Sequence, residues 1–459
     1  YLGIPIYALP TRALLVINSI QFASNQPYTY DFYTSVSILM SGLTSIMVET
    51  VSIYNAHQLA YLAVGLSVIY ILAVRKYRYQ RASSAETKYY QNGRPLSEMT
   101  VKEAHEVVRN LRELEFPFSM HLSMKLSLLK TGSIPTMAKL FVATRQLKDK
   151  NASKRAADTE IILNEVHDRE PGSDSHLLGI SRMNYLHARF RKAGKILDDD
   201  MLHTLGSAVL DIFQTIGSIE WRDLTNVEKC AIGVFHKALG DAMEIPFTHL
   251  PSQKDGWRDG THFAEEIMDW TLKYERRVAE PTNATREIGR QLMNLATFHL
   301  PSALKPFGER MIASRVEGYV QESMGFRKPT SLHYTLMGVV FNVRKFILRY
   351  LSFPRPESKK VHMLSSSPDP VTGLYTANFW IAHPWYVKPT FSNRWGFKAI
   401  LAWTTGGTSL TDGGLWRADG YDLRTIGPTA QETRGADEME EIFADLKKQG
   451  YADGCPFHS

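Results

Sequence analysis

The chain has 459 residues, of which 44% are hydrophobic, and it carries a formal net charge of +6. This length exceeds one ordinary compact core, and the apolar content excludes wholesale disorder, so we expect two or three structural regions. The basic residues are not gathered into one block, and no zinc-finger or RNA-binding aromatic motif occurs, so no nucleic-acid partner is expected. The two cysteines, Cys230 and Cys455, exclude a disulfide framework and favour a reducing compartment for the main domain.

A membrane-spanning helix is predicted near the N-terminus. No Asp, Glu, Lys or Arg occurs between Glu49 and Arg75, and residues 55–75 have the length of about 20 apolar residues that a bilayer requires. A basic, tyrosine-containing run follows at residues 75–81, which is typical of the cytoplasmic side. The pattern therefore predicts a lumenal segment at 1–54, a single span at 55–75, a basic juxtamembrane linker at 76–96 and a cytosolic body. A buried core helix or a signal-like anchor is the alternative, and the Ser- and Thr-rich residues 32–48 are a weaker second span.

Residues 97–353 have the periodicity of a mainly α domain. Thr100 with Glu103 has the spacing of a capping box at the start of its first helix. Further helices are predicted at residues 120–130, 136–148, 152–167, 176–194, 200–219, 225–243, 261–275, 284–297, 301–323 and 333–352. Residues 354–459 are rich in Pro, Gly and Trp, which predicts a loop-rich extension packed on the helices and ending in a helix near 437–449. Residues 334–351 and 394–403 are amphipathic, and they are expected either at a bilayer surface or in the core.

Several common catalytic motifs are absent from the sequence. It contains no GxxxxGK[ST] phosphate loop, no HExxH, no CxxC and no GxSxG. Cys230 falls on a predicted helix and Cys455 is near the end of the chain, so neither fits the loop cysteine of a thiolate-ligated haem.

His187 lies on an apolar helical stripe formed by Ile180, Met183, Phe190 and Gly194, and is therefore expected to point inward. An inward histidine is either a core residue or a ligand, since a neutral imidazole in an apolar slot suits a haem iron.

Arg155 and Thr159 are four residues apart on another predicted helix and share a face. This pair suits an anionic group such as a propionate, although a solvated arginine is the simpler interpretation.

The sequence resembles the family of the fungal oxygenase mpaB of mycophenolic acid biosynthesis, which is bound to the endoplasmic reticulum (ER). More distantly, it is similar to the latex clearing protein, a rubber oxygenase. The likeness is carried by five short motifs: KRAADT (154–159), LHARFRKAGKILDDDML (186–202), EWRDLTNVEKCAIGVFHKALGDAMEIP (220–246), RKFILRYLSFPRP (344–356) and GCPF (454–457).

The resemblance implies a globin-like helical domain that holds haem b, with His187 as the iron ligand and with Arg155 and Thr159 near the haem pocket. It implies cleavage of a C=C bond in a prenyl, farnesyl-type side chain with O2, by a single-pass ER membrane protein with a cytosolic catalytic domain. The lipid bilayer is then a partner, and the redox partner is left open.

Two positions depart from the rubber-oxygenase pattern. The lysine that precedes the threonine in those enzymes is Asp158 here, and no Glu occurs between residues 116 and 159, where their catalytic glutamate would fall on Lys139. His203 and His236 are rival ligands; Asp200 is expected to cap the helix that carries His203 in its first turn.

Two other functions stay open at this point. One is a non-catalytic carrier of prenylated lipids. The other is a metal-dependent hydrolase that would use Asp198, Asp199, Asp200 and His203 to bind Mg²⁺, although three aspartates before a helix are also ordinary capping residues.

Overall fold

The computed structural model of the chain describes residues 40, 41, 44, 56–90, 93–145, 150–396, 399–400, 416–450 and 452–457. The chain divides into two compact units, residues 1–78 with 349–358, and residues 79–348 with 359–459. Most of the predicted lumenal segment, most of the weaker second span at 32–48, and residues 401–403 of the second amphipathic stretch lie outside the described residues.

The prediction of a mainly α protein is confirmed. The described residues contain helices joined by loops and two isolated β-bridges, with no β-strand among them. The α-helices are α1 (Ala56–Tyr90), α2 (Val101–Asn110), α3 (Pro117–Thr131), α4 (Pro135–Thr144), α5 (Lys150–Asp168), α6 (Asp174–Lys192), α7 (Asp198–Ile219), α8 (Asn226–Ala242), α9 (Gly260–Val278), α10 (Asn283–Ala296), α11 (Lys305–Ala313), α12 (Gly318–Met324), α13 (Ser331–Phe346), α14 (Phe391–Trp395) and α15 (Ala436–Gln449). A globin-like arrangement of these helices stays a prediction.

Helix α1 is long and apolar enough to cross a membrane between His57 and Tyr89. Its apolar side chains are largely exposed, among them Val64 and Ile69, which fits a helix that faces lipid rather than a protein core. The helix does not end at Arg75 but continues through the basic run to Tyr90. In the first unit, the Tyr70 hydroxyl donates to the carbonyl oxygen of Leu351 at 2.8 Å.

In the second unit, the crossing of helices α8 and α9 depends on two glycines. A Cβ on Gly233 of α8 would meet the carbonyl oxygen of Gly260 at the start of α9, and a Cβ on Gly260 would meet the carbonyl oxygen of Cys230. The backbones of α8 and α9 can therefore approach closely only because both residues lack a side chain. The same helices supply much of the larger core cluster, including Ile232, Val234 and Phe263.

The expectation of one helix over residues 301–323 is wrong. Helix α11 ends at Ala313, and α12 begins only at Gly318. The side-chain amide of Gln321 donates to the carbonyl oxygens of Ala313 and Val316 at 3.0 and 2.9 Å. It thereby satisfies acceptors that the interrupted helix leaves free.

Two helix starts can be compared with their predicted caps. The capping box of Thr100 and Glu103 is present at α2. The helix that carries His203 begins at Asp198 instead of after Asp200, so His203 lies in its second turn. Asp200 occupies the third helical position and its carboxylate accepts from the backbone N–H of Leu197 at 3.3 Å.

The Pro-, Gly- and Trp-rich extension contacts helices α5 and α6. The buried guanidinium of Arg182 donates to the carbonyl oxygens of Ile426 at 2.7 Å and Gln431 at 2.9 Å. The Tyr421 hydroxyl donates to Glu165 at 2.5 Å. Because the buried Arg182 donates to carbonyl oxygens of this extension and Glu165 accepts from its Tyr421, these contacts help to hold both helices in place.

Candidate functional site

Helix α5 presents a stripe of four residues spaced four apart: Arg155, Thr159, Leu163 and His167. Such spacing places neighbouring members one above the other along a helix. The stripe divides into two halves, because Arg155 and Thr159 belong to the predicted site, whereas Leu163 and His167 line a cavity.

The structure brings Arg155, Thr159 and His187 together where α5 packs against α6. The guanidinium of Arg155 donates to the Thr159 hydroxyl oxygen, and that hydroxyl donates to the Arg155 carbonyl oxygen at 2.8 Å. The pKa of His187 is lowered to about 4, first by burial and then by the positive charges of Arg155 and Arg191. His187 is therefore a neutral imidazole near a guanidinium.

The predicted residues fit a haem group by their unsatisfied polar atoms. The Nδ1 atom of His187 is buried without a hydrogen-bond partner. Burial lowers the pKa of Arg155, and the negative charge of Asp158 acts in the opposite direction. In the described part of the chain no carboxylate forms a direct ion pair with this guanidinium, and Asp158 accepts instead from Lys154 and Tyr386. A desolvated arginine without a directly paired carboxylate suits an anion such as a propionate.

The side chains of Arg155 and His187 keep some solvent-accessible surface, although burial lowers the pKa of each. This combination is expected for side chains that line a recess between helices rather than a filled core.

Asp158, which immediately precedes Thr159, lies on a different face of α5 from Arg155 and Thr159. Its carboxylate accepts from Lys154 Nζ and from the Tyr386 hydroxyl, both at 2.8 Å. Because these two donors hold its carboxylate, Asp158 links α5 to the extension and does not contribute to the recess beside Arg155 and His187.

A cavity of about 60 Å³ lies between helices α3, α5, α7 and α8. Aliphatic and thioether side chains supply half of its lining residues, and Arg, His, Ser and Thr side chains supply the rest. The lining residues are Arg112, Met120, Ser123, Met124, Ser127, Leu128, Leu163, His167, Thr204, Ala208, Ile212 and His236. The lining contains no carboxylate, so the cavity suits an apolar occupant.

Two neutral histidines line this cavity in the same tautomer. His167 Nδ1 donates to the Leu163 carbonyl oxygen at 2.7 Å, and His236 Nδ1 donates to the Ile232 carbonyl oxygen at 2.8 Å. A carbonyl oxygen can only accept, so each Nε2 carries a lone pair instead of a proton. The ring centroids are 5.7 Å apart, and Nε2 of His236 is buried without a partner. Burial lowers the pKa of His236 to about 4.

Arg112 closes one side of the cavity. Its Nε donates to Asp168 and its Nη2 donates to Asn164, both at 2.7 Å. Both partners are on α5, so the guanidinium is fixed relative to the stripe that begins at Arg155. His121 on α3 has both ring nitrogens buried without partners, and burial lowers its pKa to about 3.

The residues of the alternative metal-site hypotheses have hydrogen-bond or ion-pair partners within the protein. His203 Nε2 is 3.0 Å from Glu275 Oε1 in a fully buried pair. Asp199 pairs with His249 at 2.7 Å, and Asp200 accepts from the Thr136 hydroxyl at 2.7 Å. In the described ranges no group of three or more His, Cys, Asp or Glu side chains is arranged to hold a metal ion. A Mg²⁺ centre built on the three aspartates is therefore disfavoured.

No family model matches the chain, but it is similar to three curated proteins. The ER-bound oxygenase mpaB' of Penicillium brevicompactum is 33% identical over 408 residues, which cover 88% of this chain and 96% of that relative. The chain belongs to the ER-bound oxygenase mpaB family. The mpaB protein of the same species is 33% identical, and the alignment covers 77% of this chain and 84% of that relative. The mpaB protein of Penicillium roqueforti (strain FM164) is 34% identical, and the alignment covers 57% of this chain and 89% of that relative. The similarity to rubber oxygenases stays a prediction.

In this mpaB-family chain, the sequence analysis predicted Arg155, Thr159 and His187 as site residues. It did not predict most of the residues that line the adjacent cavity. His236 was considered only as a rival ligand, and Arg112, His121 and His167 were not singled out. One signal was available for His167, because it continues the four-residue spacing of Arg155, Thr159 and Leu163. The other cavity residues come from helices that are distant in sequence, so local periodicity does not indicate that they meet.

Proposed function

We propose that this protein is a membrane-anchored, haem-dependent oxygenase that cleaves a C=C bond in a prenyl, farnesyl-type side chain with O2. The observation that carries the proposal is the buried guanidinium of Arg155, without a described carboxylate partner, beside the unsatisfied imidazole of His187. The oxygenase description of the relatives and the apolar helix α1 support it.

The chain's own residues have distinct roles in this proposal. His187 would ligate the iron of haem b, and Arg155 would bind a propionate, with Thr159 orienting the guanidinium through their hydrogen bond. Haem b, when bound, supplies the iron centre at which O2 is activated. The low pKa of His187 keeps its imidazole neutral, and therefore able to bind a metal, at physiological pH.

In this proposal one end of the substrate chain would occupy the cavity. Leu163 begins its wall one helical turn beyond Thr159, which is about 6 Å along the axis of α5. Aliphatic and Met side chains exclude water and follow the shape of a flexible isoprenoid, since Met adapts to irregular surfaces. Arg112 is held by Asp168 and Asn164 and offers a fixed cation at the cavity wall.

The overall reaction balances without an external reductant. The alkene loses its C=C bond, O2 loses its O–O bond, and each former alkene carbon forms a C=O bond to one oxygen atom. Two carbonyl products result, and no leaving group or net proton is released. A single-pass ER anchor with a cytosolic catalytic domain would place this site beside the lipid in which a farnesyl chain partitions.

Absorption spectra of the detergent-solubilised full chain, oxidised and dithionite-reduced, test the proposal. We expect a Soret band, its loss in His187→Ala, and its retention in the control His249→Ala, which removes an exposed histidine. In Arg155→Met we expect weaker haem retention during gel filtration, because a propionate partner is lost. A Soret band lost in His236→Ala but kept in His187→Ala would transfer the ligand role to His236.

A second candidate is a non-catalytic carrier of prenylated lipids, which the carboxylate-free cavity favours. A protein that has no Soret band, contains no iron, and binds a farnesylated phenol without consuming O2 would establish the carrier and contradict the oxygenase.

A further inference from the structure

Helix α13 exposes an apolar stripe on the surface of the second unit. The stripe is made of Leu332, Leu336, Val339, Val340, Val343 and Phe346 of α13, and it continues into Ile347 at the start of the π-helical turn that follows. At 100° per residue these positions cover roughly 120° of the helix circumference. Val343 is 52% exposed and Phe346 is 56% exposed, whereas Phe341, on the opposite side, is buried. The helix therefore packs through one face and presents a second apolar face outward.

The exposed surface extends beyond α13. The ring of Phe307 on the neighbouring helix α11 lies 5.2 Å from the ring of His333 on α13, and Phe307 and Leu304 are themselves exposed. A contiguous exposed apolar surface of this kind marks a protein or membrane contact rather than ordinary solvent exposure.

The charged residues of α13 and of the segment that follows it are all basic. Residues 331–356 contain Arg344, Lys345, Arg349 and Arg355 and no Asp or Glu, and Arg344 pairs with the buried Glu220 at 2.8 Å. A helix with an apolar face, basic flanks and no acidic residue matches the pattern of helices that lie in the interface of an anionic membrane.

The chain after α13 contacts the candidate membrane-spanning helix. A π-helical turn, Ile347–Leu351, follows α13 directly. The Leu351 carbonyl oxygen accepts from the Tyr70 hydroxyl at 2.8 Å, and the Phe353 ring lies 5.5 Å from the Tyr70 ring. Tyr70 is five residues before Arg75, near the basic end of the predicted span.

We propose that α13, with Leu304 and Phe307, is an interfacial membrane helix. It lies in the headgroup region of a leaflet, with its apolar stripe toward the acyl chains and Lys345 toward anionic lipid. The partner is the bilayer rather than a second copy of the chain, because α13 contains no acidic residue and the chain that follows it contacts the spanning helix. This inference does not depend on haem or on the reaction.

Depth-dependent fluorescence quenching tests the proposal on the full chain. The protein carries Cys455→Ser, retains the buried Cys230, and is labelled with an environment-sensitive fluorophore at one introduced cysteine. It is reconstituted into phosphatidylcholine/phosphatidylserine nanodiscs that contain lipids brominated in the upper acyl chain. The probe positions are Val343→Cys in α13, Val64→Cys in α1 as the lipid-facing control, and Val371→Cys, which is 91% exposed, as the aqueous control.

We expect quenching of more than about twofold at positions 343 and 64, with a blue-shifted emission, and none at position 371. Quenching at 343 should weaken when phosphatidylserine is omitted. A probe at 343 that behaves like 371 while 64 is quenched overturns the proposal. Cross-linking of two chains through Val343→Cys without lipid quenching would instead assign the stripe to a dimer and would also overturn it.

Discussion

Replacing His236 by glutamine is expected to reduce, by about 2 kcal/mol, the loss of unfolding free energy between pH 7 and pH 5. His236 is fully buried, and burial lowers its pKa from 6.5 to about 4. Between pH 6.5 and pH 4, His236 therefore binds a proton in the unfolded chain but not in the folded chain. The contribution of the neutral His236 to folding stability is present above pH 6.5 and is lost as the pH falls toward 4. The pKa difference corresponds to about 3 kcal/mol in total, of which about 2 kcal/mol is lost between pH 7 and pH 5.

The measurement is urea unfolding of the solubilised chain at pH 7 and pH 5, followed by tryptophan fluorescence. Wild type should lose about 2 kcal/mol more than His236→Gln between the two pH values. Glutamine is the matched choice because its amide can still donate to the Ile232 carbonyl oxygen. Ile232→Val on the same helix is the control: it should lower stability by about 1 kcal/mol at both pH values and leave the pH dependence unchanged. Identical pH dependence in wild type and His236→Gln would refute the assignment of a buried, neutral imidazole.

Two other substitutions test the architecture around the site. Arg112→Met should lower the free energy of unfolding by about 3 kcal/mol, because the Asp168 carboxylate and the Asn164 side-chain oxygen both lose the guanidinium that donates to them. Asp168→Asn should lower it by less. Equal losses for the two variants in urea unfolding would contradict this reasoning. Gly233→Ala should cost about 3 kcal/mol or more, because its Cβ would meet the Gly260 carbonyl oxygen. Gly318→Ala, where nothing lies within 4 Å of the added Cβ, should change stability by less than about 1 kcal/mol; similar melting temperatures for the two variants would disprove the close crossing.

Local sequence patterns predicted many of the helices because several of them carry their own capping residues. The capping box of Thr100 and Glu103 is present, and the acidic and basic ends of residues 437–449 correspond to α15. The break between α11 and α12 was missed because it depends on Gln321, whose amide reaches back to two carbonyl oxygens. Asp200 was misplaced because three consecutive aspartates offer three equivalent capping positions.

The candidate site was predictable only where its residues share one helix or a known motif. Arg155 and Thr159 are one turn apart, so their hydrogen bond follows from helical spacing. The cavity needs four helices to converge, and its shape depends on glycine-mediated crossings such as Gly233 with Gly260. No periodicity in a single segment encodes that convergence, so Arg112 and His167 were recognisable only after the helices were placed.

Helix α5 links the loop-rich extension to the proposed chemistry because it presents two functional faces. Lys154, Asp158 and Glu165 point to the extension, where their partners include the Gly427 carbonyl oxygen, Tyr386 and Tyr421. Arg155, Thr159, Leu163 and His167 point to the recess and the cavity. Because the contacts on the first face set the rotation of α5 about its axis, they also set the direction in which Arg155 and Thr159 project. Asp158, immediately before Thr159, therefore belongs to the face that anchors α5 to the extension.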